Sequence, residues 1–183
     1  LNAIFQAASH IEALSRRLPH GGARSGDALT FGIAASPGAS VLFLNPPYDT
    51  DREHRRLEQR FLARFTDALA PGGALLFVVP HTALAASAEH LASRYTNVQA
   101  WRFPDPDFAA FKQVVVVAER RGEPVPPDRM TLQRLRAAAE TASALPVLQG
   151  GEGSAAVTVR LPHAHLTLHA QALDVEDLLS HAQ

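Results

Sequence analysis

Val41-Leu42-Phe43-Leu44-Asn45-Pro46-Pro47-Tyr48-Asp49-Thr50-Asp51 decides the fold. Four apolar residues run directly into Asn-Pro-Pro-Tyr. The run has no period-two alternation, so it reads as a strand buried on both faces, as in a parallel sheet. Proline has no N–H for a ladder and cannot continue a central strand. The strand therefore ends at Asn45, with the polar tetrapeptide at its carboxyl end, where open α/β sheets bind ligands. Pro46 and Pro47 each fix φ, and Pro47 keeps Pro46 out of the helical region, so the segment is stiff and extended. A prolyl residue offers a carbonyl acceptor and no competing donor, and the Asn45 side-chain oxygen is a second acceptor. Tyr48 adds a flat aromatic face. Two acceptors beside an aromatic face suit a planar group carrying an NH2.

Upstream, Ile4, Ala7, Ala8, Ile11 and Leu14 recur at helical spacing over residues 3–18, and Pro19-His20-Gly21-Gly22 stops that helix. Ala23 to Ser25 reads as a short strand leading to Gly26-Asp27-Ala28-Leu29. Downstream, residues 53–69 form an amphipathic helix with Leu57, Phe61, Phe65 and Ala68 on one face and Arg56, Arg60 and Arg64 on the other. Pro71-Gly72-Gly73 turns the chain into a second apolar strand, Ala74 to Val79, ended by Pro80. A helix over 82–94 and a strand from Val98 to Phe103 follow. The loop Pro104-Asp105-Pro106-Asp107-Phe108-Ala109-Ala110-Phe111-Lys112-Gln113 then leads to Val114-Val115-Val116-Val117. Alternating apolar strands and helices make an α/β, doubly wound pattern. The last two strands, joined without a helix, should be antiparallel.

Beyond residue 119 the character changes. Pro124, Pro126 and Pro127 mark a linker, and residues 130–144 read as a helix of Leu132, Leu135 and alanines. Gln149 to Ser154 is a turn, followed by short strands at 156–161 and 165–169 and a helix near 173–181.

Composition narrows the classes. With 183 residues, 46% hydrophobic, and net charge −1, the chain fits one domain plus an extension and lacks a broadly basic nucleic-acid coat. No apolar stretch approaches the ~20 residues needed to cross a bilayer, so no membrane partner is expected. Without cysteine there is no disulfide framework and no thiolate site. A cytoplasmic location is the default. Lys112 is the one lysine among 17 basic residues, and this arginine bias weakens arginine clusters as signs of phosphate binding.

Asn45-Pro46-Pro47-Tyr48 at a strand end resembles the signature of amino-methyltransferases that use S-adenosyl-L-methionine, chiefly the N6-adenine DNA enzymes. The element order resembles the second half of the Rossmann-like class I methyltransferase sheet, mostly parallel with its final strand inserted antiparallel. The resemblance covers roughly residues 20–120. Asn-Pro-Pro-Tyr-Asp-Thr-Asp together with Phe-Pro-Asp-Pro-Asp-Phe and Phe-Lys-Gln is also similar to an uncharacterised bacterial subgroup. It implies a partial catalytic domain over 1–120 and a linker with a small α+β extension over 121–183, a region that often holds target recognition in this family. It implies catalytic roles for Asn45, Pro46, Pro47 and Tyr48. Asp27 and Ala28, with Asn45, would meet the cofactor, Asp27 by accepting from its adenine amino group. Tyr48 and either Phe108 or Phe111 would sandwich the target base, with Lys112 on the substrate side.

The resemblance is incomplete. Neither a strand followed by a glycine-rich turn nor a ribose-binding acid is visible before residue 30, so the chain reads as lacking its first one or two strand–helix units. It is then expected to hold the cofactor weakly, and the strand at 41–44 should have its open edge covered. DNA is expected over RNA as the substrate. Methylation of an RNA base or a protein glutamine amide, and a truncated non-catalytic binding domain, are the alternatives.

Other residues carry simpler readings. Asp27 could cap a turn, and Phe108 or Phe111 could belong to the core. Asp49, Asp51 and Glu53 read as favourable charges at the start of the following helix, and Arg56, Arg60 and Arg64 as a solvated face. His163, His165 and His169 would share one strand face and could hold zinc. Surface histidines are the preferred reading, and no metal is expected.

Overall fold

The computed structural model describes residues 2–5, 22–25, 27–30, 32–34, 38–148 and 167–169. The chain divides into two compact units, Leu1–Ala34 with Leu166–Gln183, and Ala35–His165.

In the first unit, β1 (Asn2–Phe5) pairs in parallel with β2 (Gly22–Ser25). The expected helix over 3–18 is thus corrected at its start: Ile4, counted as a helical position, is a β-former in a paired strand. Residues 6–18 lie outside the described residues. β2 includes the short strand expected over Ala23 to Ser25. β3 (Gly32–Ala34) pairs antiparallel with β8 (Thr167–His169), so the C-terminal strand belongs with the N-terminal part of the chain. His163 and His165 fall outside the described residues.

The second unit is built on a four-stranded sheet in the order β4-β5-β7-β6. β4 (Ala39–Leu44) and β5 (Leu69–Pro80) are parallel, with Leu44 opposite Phe77. β7 (Gln113–Arg120) lies antiparallel between β5 and β6 (Tyr95–Arg102). β4, β5 and β6 therefore run one way and the last strand is inserted against them. This is the Rossmann-like class I methyltransferase arrangement of an α/β chain.

β5 starts at Leu69, before the expected glycine turn. It advances from Leu69 to Ala74 while β4 advances only from Ala39 to Val41, so the intervening residues bow out of the ladder. Gly72 supplies the φ of +77° this requires. Gly38 has no room for a side chain, because a Cβ there would sit 2.6 Å from the Ala70 nitrogen.

Among the described residues the strand paired with β4 is β5. Val41 and Phe43 are exposed, at 44% and 64%, where the apolar run implied burial on both faces. Leu44 alone of the four is buried.

Helix α1 (Leu57–Thr66) is shorter than the 53–69 expected, and its buried face is rotated. Glu58, Leu62, Phe65 and Thr66 are buried, whereas Leu57 and Phe61 are only half-buried. Helix α2 (Leu84–Arg94) follows a single 3-10 turn at His81–Ala83 and buries Leu84, Ala88 and Leu91. A five-residue helix, α3 (Asp107–Phe111), interrupts the loop that was expected to carry none. Helix α4 (Arg129–Glu140) is capped by Asp128, whose carboxylate accepts from the Thr131 N–H at 2.8 Å, and it packs on α2. No described helix is long and apolar enough to cross a membrane.

A polar knot ties α1 to α2 and β6. Thr66 Oγ1 donates to the Leu62 carbonyl at 2.7 Å and meets His90 Nε2 at 2.7 Å and Tyr95 OH at 2.8 Å. One donor and two acceptor positions exhaust a hydroxyl, so His90 and Tyr95 are the donors to it.

Candidate active site

β4 ends where the sequence changes from apolar to Asn-Pro-Pro-Tyr. Asn45 and Pro47 are exposed, Pro46 is buried, and Tyr48 is 39% exposed. The chain folds back so that the Tyr48 hydroxyl donates to Asn45 Oδ1 at 2.6 Å. The same hydroxyl accepts from Gln113 Nε2 at 2.8 Å. Gln113 stands here because it opens β7 opposite Pro80, the last residue of β5. The register thus gathers the ends of β4 and β5 and the start of β7. Burial pushes the Tyr48 phenol up; the Gln113 N–H works against this, and the charge of Glu58 adds to it. Tyr48 is thus held as a phenol, a donor.

The loop after the tetrapeptide is organised by Asp51. Its Oδ1 accepts the N–H groups of Glu53 at 2.9 Å and Arg55 at 2.8 Å. Its Oδ2 takes Arg55 Nε and Arg60 Nη1, each at 3.0 Å. Partial burial pushes this carboxyl up, but the Arg55 N–H and guanidinium and the Glu53 N–H outweigh it and hold it below the usual range. Asp51 therefore shapes the loop rather than starting the helix. The acidic residue of the first helical turn is Glu58, 0% exposed, held by Arg56 Nη2 at 2.5 Å and Nε at 3.1 Å. Arg56 and Arg60 are thus paired with carboxylates instead of forming a plain solvated face. Asp49 accepts the Leu57 N–H through its carbonyl at 2.8 Å, and Glu53 pairs with Arg55 at 2.9 Å.

Neither Phe108 nor Phe111 is in the core. Phe108 is half-buried, with Arg102 Cζ at 5.3 Å and Lys112 Nζ at 5.4 Å from its ring centre, inside cation–π range. Its ring centre lies 6.3 Å from that of His81. Phe111 is 61% exposed. Lys112 closes α3 with φ of +54°, and its carbonyl accepts from the His81 N–H at 3.0 Å. The loop is thereby joined to the end of β5, and through Gln113 to Tyr48.

Asp27 lies in the other unit. It is exposed, and its Oδ1 accepts from the Leu29 N–H at 2.9 Å while its carbonyl accepts from the Thr30 N–H at 3.0 Å, the geometry of a turn residue. Ala28 lies within this turn. Among the described residues no cluster of three or more metal-ligating side chains occurs.

No role was assigned from sequence to Gln113, Glu58 or His81, although Gln113 closes the Phe-Lys-Gln motif. Gln113 had a signal: it is the polar residue directly before an unbroken run of four valines. Glu58 had none, because a carboxylate on the buried side of a helix contradicts the amphipathic pattern.

Several solved structures resemble the chain, three of them as follows. A type IIG restriction endonuclease, BpuSI, aligns over 98% of this chain and 25% of its own, with 18% identity and a TM-score of 0.52. That match shows a shared fold, and the chain spans about a quarter of that enzyme. Atu636 of Agrobacterium tumefaciens, described as a predicted O-methyltransferase, aligns over 81% of this chain and 80% of its own, with 13% identity and a TM-score of 0.46. M1.HpyAVI, crystallised as a complex with SAM, aligns over 67% and 56%, with 14% identity and a TM-score of 0.34. No curated protein matches the sequence. Residues 17–158 match the model of an uncharacterised methyltransferase family, DUF6094, and with most of its length covered the chain belongs to that family.

Proposed function

We propose that this methyltransferase acts on the N6 amine of adenine in DNA, with S-adenosyl-L-methionine as the methyl donor. The donor supplies an activated methyl group; the work of the chain is to hold the amine and aim it. The observation that carries the reading is the exposed Asn45 carboxamide, set by Tyr48 at the end of β4. A carboxamide oxygen accepts two hydrogen bonds, and Tyr48 uses one. The other lone pair and the Pro46 carbonyl can take the two hydrogens of a planar NH2. The amine's lone pair is delocalised into the ring, so fixing both hydrogens localises it toward the methyl group. Positioning of this kind is worth about 7–11 kcal/mol, and no strong base is required, because the methylated amine is acidic enough to lose its surplus proton to water.

In duplex DNA the base must leave the stack, at a cost that stacking on Tyr48 partly offsets. Phe111, the more exposed of the two loop aromatics, is the better partner for the opposite face, since Phe108 is already engaged by Arg102 and Lys112. Asp27, having accepted one N–H, retains acceptor capacity for an amino group. The fold shared with a restriction endonuclease supports a nucleic-acid substrate.

Transfer of labelled methyl groups from S-adenosyl-L-methionine to separate DNA, RNA and protein pools tests the reading. Label in DNA, recovered as N6-methyladenine, is the expected result. Label confined to RNA or to protein glutamine would move the substrate to that class, and no label in any pool would contradict the activity.

A further inference from the structure

We infer that Gln113 is a positioning residue for methyl transfer: through the Tyr48 hydroxyl it sets which atom of the Asn45 carboxamide faces the transfer edge. The inference rests on the reading of Asn45 as the acceptor of the target amine.

Gln113, Tyr48 and Asn45 form a chain with contacts of 2.8 and 2.6 Å. A phenol has a single hydrogen. When Gln113 Nε2 donates to the Tyr48 oxygen, that hydrogen is committed to Asn45, and only the amide oxygen can receive it. The reverse sense of the same chain is geometrically equivalent. If Gln113 presented an acceptor, Tyr48 would donate to it, and Asn45 would have to turn its NH2 toward Tyr48. The position now held by Oδ1 would then carry two donors, which cannot accept from an amine. Gln113 is anchored in β7, which β5 separates from β4, and its backbone is fixed by pairing with Pro80. It can therefore impose the sense of the chain on an Asn45 that is itself exposed.

Charged groups nearby come from every surrounding element. They are Glu58 from α1 with Arg56 just before it, Asp49 and Asp51 after Tyr48, His81 directly after β5, Lys112 beside Gln113, and Arg102 from β6 with Asp105 at 3.2 Å. All are common to wild type and to variants at position 113, so their ionisation cancels in a ratio taken at the same pH.

The test compares wild type with Gln113→Glu, Gln113→Leu, Tyr48→Phe and Tyr48→Phe/Gln113→Leu. Labelled methyl transfer to adenine-containing DNA is measured as kcat and KM across about pH 5–8.5. Gln113→Glu keeps the shape but, when ionised, only accepts, so the chain reverses. Its kcat should fall about tenfold or more at the upper end, with KM little changed. Its ratio to wild type should recover as the pH falls and the introduced carboxyl gains a proton to donate. Gln113→Leu should lose activity with no such recovery. In the Tyr48→Phe background Gln113→Leu should have no further effect on kcat. A flat Gln113→Glu ratio, or a Gln113→Leu loss undiminished without the Tyr48 hydroxyl, would overturn the inference. If wild type methylates nothing, the functional reading fails, yet the relay is still decided by the absorbance titration of the tyrosines. Gln113→Leu must then raise the Tyr48 ionisation and Gln113→Glu raise it further; an unchanged titration overturns the relay itself.

Discussion

Arg56→Met probes the buried charge beneath the tetrapeptide loop. Glu58 is 0% exposed and takes two hydrogen bonds from Arg56, at 2.5 and 3.1 Å. Removing the cation leaves a carboxylate inside the protein without its partner. Breaking a buried ion pair from one side costs about 3–5 kcal/mol. The Arg56 side chain is 34% exposed, so water reaches the site and the lower end applies, about 3 kcal/mol. The start of α1 gives Glu58 a residual favourable field, which also argues for the lower end. For a chain of this length about 1 kcal/mol corresponds to roughly 2–4 °C, so Tm should fall by about 6–12 °C. Replacing both residues, as Arg56→Met/Glu58→Leu, should recover most of the loss, because packed apolar side chains often match a buried ion pair. Urea unfolding of wild type, both single variants and the double variant provides the comparison. A loss below about 1 kcal/mol for Arg56→Met, or a double variant no more stable than that single, would refute the reasoning.

Three further outcomes follow from the same contacts. Thr66→Val removes the hydroxyl shared by His90 and Tyr95 and should cost about 1–3 kcal/mol by urea unfolding, with the Tyr95 OH left buried and unpaired. Burial, and then Arg94, lower the His90 pKa against the pull of Asp67, so below about pH 6.5 the unfolded chain binds a proton that the folded chain refuses. Stability should therefore fall as pH drops through that window, and His90→Gln should flatten the fall; unchanged slopes in wild type and variant would contradict it. Tyr48→Ala should weaken DNA binding by about 1–3 kcal/mol if base stacking is its main contribution, measured by fluorescence anisotropy with 2-aminopurine at the target position.

Much of the sheet was legible because its determinants are local. The apolar runs ended by Pro46 and Pro80 mark strand ends that pairing alone could not disguise, and the short β6–β7 connection forces an antiparallel strand. The failures are those of period read without partners. Ile4 satisfied a helical spacing yet lies in β1, because a parallel partner at Gly22–Ser25 outweighs propensity. The face of α1 was misassigned by one position because Glu58, a carboxylate, is buried there through Arg56, a contact no hydropathy pattern encodes. At the site, Asn45 to Tyr48 were legible from stiffness and donor inventory. Gln113 was not, because it reaches Tyr48 only through the pairing of β7 with β5, across 65 residues of sequence.

Asn45→Ala tests the assignment of the amine acceptor most directly. Asn45 is exposed at a strand end, so its truncation should leave Tm and binding of S-adenosyl-L-methionine close to wild type. Methylated DNA is digested to nucleosides and N6-methyladenine is counted by mass spectrometry for wild type and variant. Transfer by wild type and its abolition in the variant, at equal Tm and equal cofactor affinity, is the predicted result. Activity of Asn45→Ala within a few-fold of wild type would contradict it.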